Sequence, residues 1–117
     1  MDLDRMRSAA RLLIGEHDWT AFSAAQSDAE SRVRNVFQCD VHDSWNARGH
    51  CHLVEIIVSA NGFLRYMVRS IAGTLLAVGR GEIDEQTIAR ALNEGDRDLV
   101  GATAPAHGLT LRSAQYD

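Results

Sequence analysis

The chain has 117 residues, enough for one domain around a single modest core and short for an enzyme that needs both a scaffold and a deep cleft of its own. With 45% hydrophobic and 24% charged residues it lies in the globular range and outside the disordered one. All 12 basic residues are arginines, yet the net charge is -4, which argues against coating nucleic acid by bulk charge and leaves room only for a local basic cleft.

Asp2 to Ile14 place Leu3, Met6, Ala10 and Leu13 on one face at helical spacing, with Asp2 and Asp4 near the start and Gly15 as the stop. Beyond it, Trp19 and Phe22, three apart, suggest a short helical turn that presses two aromatics into the core rather than a platform for stacking bases. From Arg32 to His42 the period changes to two: Val33, Phe37, Cys39 and Val41 share one face, and Arg34, Gln38, Asp40 and His42 the other. Asp43 to Gly49 supplies turn residues, and Cys51 to Ser59 resumes an extended pattern, giving a long antiparallel hairpin with the second strand more deeply buried.

The stretch from Asn61 to Gly81 is the longest regular apolar segment. Phe63, Met67, Ile71, Leu75 and Val78 recur at helical steps, Asn61-Gly62 can break the incoming strand, and Gly79-Arg80-Gly81 offers glycines for a left-handed cap. A second face carries Arg65 and Arg69 above the small Gly73 and Ala77, where another backbone can approach closely; read from spacing alone, the two arginines are solvated charges on an amphipathic helix. Glu82 to Asn93 predicts a shorter helix with Asp84 as cap and Gly95 as stop, and the alternation of Leu109 and Leu111 with Thr110 and Arg112 predicts a terminal strand. The order helix, strand, strand, helix, helix, strand implies one α+β domain over residues 1–117, an antiparallel sheet with helices on one face.

Cys39 and Cys51 lack a Cys-x-x-Cys partner, which indicates neither a disulfide framework nor a zinc ribbon. His50-Cys51-His52 is the densest candidate metal cluster, but on a strand the two histidines face one way and the cysteine the other, so no metal site is expected. No apolar run approaches a membrane span and no signal-peptide core is present, so the chain reads as cytoplasmic.

Three stretches together resemble the C-terminal half of the tRNA pseudouridine synthase A (TruA-type) family. They are His17-Asp18-Trp19-Thr20-Ala21-Phe22; Phe63-Leu64-x-x-Met67-Val68-Arg69-x-Ile71-x-Gly73-x-Leu75 with Val78-Gly79; and Thr103-Ala104-Pro105-Ala106-x-Gly108-Leu109-x-Leu111 with Tyr116. The resemblance implies the corresponding half of the pseudouridine synthase fold and an isomerase that converts uridine to pseudouridine in the tRNA anticodon arm. It also implies a homodimer working on tRNA without metal or organic cofactor. In the family the arginine of the Met-Val-Arg motif, here Arg69, pairs with the catalytic aspartate, and Arg65 becomes a candidate RNA contact.

The family's Gly-Arg-Thr-Asp-x-Gly-Val-His signature is absent, and the aspartates from Asp2 to Asp117 lie in helix starts, loops or exposed strand positions. The expectation is therefore a half that supplies Arg69 while another segment supplies the aspartate, inactive alone, either excised from a longer enzyme or encoded as a truncated relative. The alternative, from a different class, is a catalytically inactive RNA-binding or self-association module of the same fold. An uncovered face around Arg69 and Gly73 would favour self-association.

Overall fold

The computed structural model describes residues 2–23, 32–49, 51–64, 67–96, 99 and 110–115. The elements are α1 (Leu3–Leu13), β1 (Gly15–Asp18), a 3-10 turn (Thr20–Phe22), β2 (Val33–Asn46), β3 (Cys51–Ala60), α2 (Met67–Gly79), α3 (Glu85–Glu94) and β4 (Thr110–Gln115). The strands form one sheet in the order β1-β2-β3-β4. The α+β class and the alternation of helix, hairpin, two helices and final strand are those read from the sequence.

Two features of the sheet differ from the expectation. The short β1, paired antiparallel with β2 from Gly15 opposite Val36 to Asp18 opposite Val33, precedes the hairpin. Its four residues carry no apolar alternation, so periodicity has nothing to register there. The last strand, β4, runs parallel to β3, with Ile56 opposite Leu111. Two helices separate β3 from β4 in the chain and return it to the end of the sheet where β3 began, as a parallel crossover requires.

The hairpin itself is longer than its turn residues suggest, since β2 continues to Asn46 and, among the described residues, Ala47, Arg48 and Gly49 turn. Its core face is built from cross-strand pairs: Val41 opposite Ile56, Cys39 opposite Val58 and Val36 opposite Ala60, all buried. A register shift between Val36 and Gln38 inserts Phe37 as an extra residue. That bulge corrects the simple period of two: Val36 is 1% exposed, whereas Phe37 and Val33, expected on the apolar face, are 48% and 42% exposed.

The helices bury their stripes in the same core cluster as this face of the sheet. In α1 these are Met6, Ala9, Ala10 and Leu13, and the Asp2 carboxylate caps the helix by accepting the Arg5 N–H at 3.1 Å. The Arg7 Nε–H donates to the Val41 carbonyl at 3.2 Å and so ties α1 to β2. Asp84 caps α3, accepting from the Thr87 N–H at 2.8 Å, and Gly95, with φ +67°, closes it.

The described residues of α2 run from Met67 to Gly79. Phe63 and Leu64 lie in the approach to it, with Leu64 buried and Phe63 packed against the core. At its far end Glu82 N–H donates to the Ala77 carbonyl at 2.9 Å and Gly81 N–H to that of Val78 at 3.0 Å. This crossed pair, with Gly81 at φ +78°, is the Schellman arrangement that stops a helix.

Candidate functional site

Met67, Ile71 and Leu75 are fully buried and Val78 nearly so, which fixes the rotational phase of α2. Arg69 lies two residues on from Met67, on the opposite side of the helix, and is half-buried there together with Leu76. It is neither a solvated surface charge nor a core residue.

The position is electrostatically unusual. Arg69 lies near the N-terminal end of α2, where the helix dipole already concentrates positive charge, and no acidic residue occupies the first turn of Met67–Gly79. A cation there opposes the dipole by roughly 0.3–1 kcal/mol unless an anion neutralises both. The start of α2 is thus suited to hold a carboxylate or phosphate.

Gly73 and Ala77 are buried. The smooth stripe on which the sequence lets another backbone approach closely is therefore covered within this chain. Arg65 lies outside the described residues, as do His50 and the side chains of Cys51 and His52.

Several aspartates have identifiable structural work. Asp2 and Asp84 cap helices. Asp18 accepts from the N–H of Thr20 at 3.0 Å and from its hydroxyl, bonds that hold its carboxyl below the usual carboxylate value. Asp40 accepts from the Gln38 amide. Each is tied to its own local turn, cap or strand.

The His17–Phe22 stretch is scaffold. Trp19 and Phe22 are fully buried and meet edge to face at 5.3 Å, with the His17 ring against Trp19 at 5.7 Å. Trp19 is pinned to β2 and to the residue that precedes it, its indole N–H donating to Arg34 O at 3.0 Å and its main-chain N–H to Arg32 O at 2.8 Å. A base has no access to this pair, in agreement with the packing role expected for it. Cys39 is also inert, its thiol pushed up to about 12 by burial and then by Asp40.

An open cavity of about 750 Å³ lies at the other end of α2, lined by Arg5, Arg7, Gly79 and Arg80 among others. Its arginines are internally compensated: Arg5 by Asp2 at 3.5 Å, Arg7 by Asp4 at 3.6 Å and Arg80 by Glu82 at 2.9 Å. These three ion pairs leave that cavity without a cation unmatched by a neighbouring carboxylate among the arginines named. Sequence reasoning did not anticipate the anchor just before α2: Asn61 was legible as a strand breaker, not as a hydrogen-bonding residue. No helix among the described residues is long and apolar enough to cross a membrane.

Residues 9–117 match the family model for tRNA pseudouridine synthase. The chain is 40% identical over 117 residues to tRNA pseudouridine synthase A of Geobacillus sp. strain WCH70, covering 100% of this chain and 45% of that protein. It is 44% identical over 117 residues to the protein of the same name from Chloroflexus aurantiacus, covering 99% of this chain and 41% of the relative. The corresponding protein of Syntrophotalea carbinolica is 43% identical, with 99% and 44% covered. The chain thus spans less than half the length of these curated relatives. With the family model matched across nearly all of its sheet and helices, the chain belongs to the tRNA pseudouridine synthase family.

Proposed function

We propose that this chain is the cleft-completing half of a cytoplasmic, dimeric tRNA pseudouridine synthase that isomerises uridine in the anticodon arm. Arg69 serves as counter-ion to a catalytic aspartate carried by a segment outside these residues. The observation that carries the reading is the half-buried Arg69 near the N-terminal end of α2, with no acidic residue in the first turn of Met67–Gly79. Local employment of Asp2, Asp18 and Asp84, and the 41–45% share of the relatives' length, support the same division of labour.

The chemistry explains why such a group is needed. The target uridine leaves its stack to reach the protein. Its C1′–N1 bond breaks, the base turns, a C1′–C5 bond forms, and the proton lost from C5 is balanced by one gained at N1. A carboxylate attacks the nucleotide, at C1′ or at C6. In a site shielded from water that carboxylate would take up a proton unless a cation favoured its charged form. The Arg69 guanidinium supplies that charge, and its planar fork holds both oxygens in one orientation. Arg65 is assigned a contact to the RNA backbone.

The test is Arg69→Ala in a polypeptide that carries this chain together with the aspartate-bearing half, with pseudouridine quantified by nucleoside mass spectrometry. Turnover should fall by about 10²–10³-fold or more with the fold intact, and Arg69→Lys should not restore it, because an ammonium lacks the bidentate fork. Unchanged turnover refutes the role. The isolated chain should form no pseudouridine in uridine-containing tRNA; tight RNA binding or self-association without any dependence on a second half would support the inactive-module alternative instead.

A further inference from the structure

Asn61 stands where β3 gives way to the approach to α2, and it joins that junction to β2 through two hydrogen bonds. Its N–H donates to Asn35 O at 3.0 Å, as the next residue of a strand would. The return bond, however, is accepted by its side chain: Asn35 N–H donates to Asn61 Oδ1 at 2.9 Å. The ladder, which continues regularly only as far as Val36 opposite Ala60, is thereby closed by an amide in place of a main-chain carbonyl.

This substitution has a geometric consequence. The main-chain carbonyl of Asn61 is released from the ladder without orphaning the Asn35 N–H, so the backbone can leave the sheet at this residue. Buried Gly62 follows, then Leu64, 5% exposed, whose carbonyl accepts the Met67 N–H at 3.0 Å and opens α2. Arg69 comes two residues later. The chain between the sheet and the guanidinium is short and is tied down at Asn61, at Leu64 and at Met67.

We infer that Asn61 is a positioning residue: its side-chain amide sets where the chain leaves the sheet on its way to α2 and so where Arg69 is held. The inference rests on the proposed role of Arg69. The α2 stripe fixes the helix against the core, but it does not by itself decide at which residue the incoming strand is released. Displacement of a charged partner by about 1 Å is enough to cost a large factor in rate.

The experiment uses the polypeptide that carries both halves and compares Asn61→Ala, Asn61→Gln and Asn61→Asp. Alanine deletes the acceptor, glutamine moves it by one methylene with the amide intact, and aspartate keeps an acceptor at the same place. The first two should lower kcat about tenfold with KM changed less than about twofold, and aspartate should recover most of the loss. Ile88→Val, in the buried face of α3, serves as a control that loosens the core without touching the junction. An equal kcat loss in that control would overturn the inference, as would full activity in both Asn61→Ala and Asn61→Gln.

A double variant separates this idea from the one it depends on. In an Arg69→Ala background, Asn61→Ala should bring no further loss, since the group it positions is gone. A further tenfold loss there would show that Asn61 acts by another route and would overturn the inference. If Arg69→Ala leaves turnover unchanged, the reading of Arg69 fails first, and the positioning role falls with it. If Arg69→Ala abolishes turnover while Asn61→Ala and Asn61→Gln do not lower it, only the positioning role fails. Should alanine at 61 not fold, the glutamine and aspartate variants carry the comparison.

Discussion

Replacing Trp19 by Phe separates two roles an aromatic pair can have, packing the core and stacking on a base. The substitution keeps a ring in the core but deletes the indole N–H donated to Arg34 O at 3.0 Å. Loss of that bond costs about 1 kcal/mol. The smaller ring gives up roughly 40 Å² of buried surface, about another 1 kcal/mol. Part of the edge-to-face contact with Phe22 survives.

The sum is a destabilisation of about 2 kcal/mol, against about 3–5 for Trp19→Ala, which also leaves a cavity. For a domain of this size that is a drop in Tm of about 10 °C, or a fall of roughly 1.5 M in the urea midpoint. Urea titration followed by circular dichroism measures it on this chain, and RNA affinity is measured below the transition on the polypeptide with both halves. Trp19→Phe should shift the midpoint and leave affinity within about twofold, because the ring is fully buried. A variant with unchanged stability and weakened RNA binding would refute the packing argument.

Other outcomes follow from the same coordinates. Gly81→Ala should cost about 1–2 kcal/mol in thermal melts: a Cβ there meets nothing within 4 Å, so the whole effect is the left-handed φ of +78°. Asp84→Ala should destabilise at neutral pH and progressively less as pH falls through the carboxylate range. Thr87 hydrogen bonds lower the folded pKa of Asp84, so its stabilisation is present above the unfolded value and lost below the folded one; an equal deficit at all pH values would contradict this. Cys39, with its thiol at about 12, should resist iodoacetamide at about pH 8 and be alkylated only in denaturant, as peptide mapping by mass spectrometry would show.

Much of the scaffold was legible from residue order. Helix α1, the hairpin, α3 with its Asp84 cap and Gly95 stop, and the buried stripe of α2 all rest on local periodicity and capping chemistry, which a linear chain displays directly. The points that were not legible share a cause. The bulge at Phe37 reverses which side chains face the core, and nothing in an alternating pattern announces an inserted residue. The strand at Gly15–Asp18 exists because Val33–Val36 lies alongside it, and the parallel direction of β4 depends on where two intervening helices return the chain.

The site divides in the same way. Residue order alone determined that this is a small α+β chain with an arginine on a long apolar helix and without the family's aspartate signature, because composition, period and motif are properties of neighbours along the backbone. Tertiary structure decided that Gly73 and Ala77 are covered and that Trp19 is clamped to β2. It also decided that an asparagine side chain closes the sheet where the chain turns towards that helix. Those are relations between residues far apart in the chain, set by which surfaces must leave water together and which polar groups must then find one another.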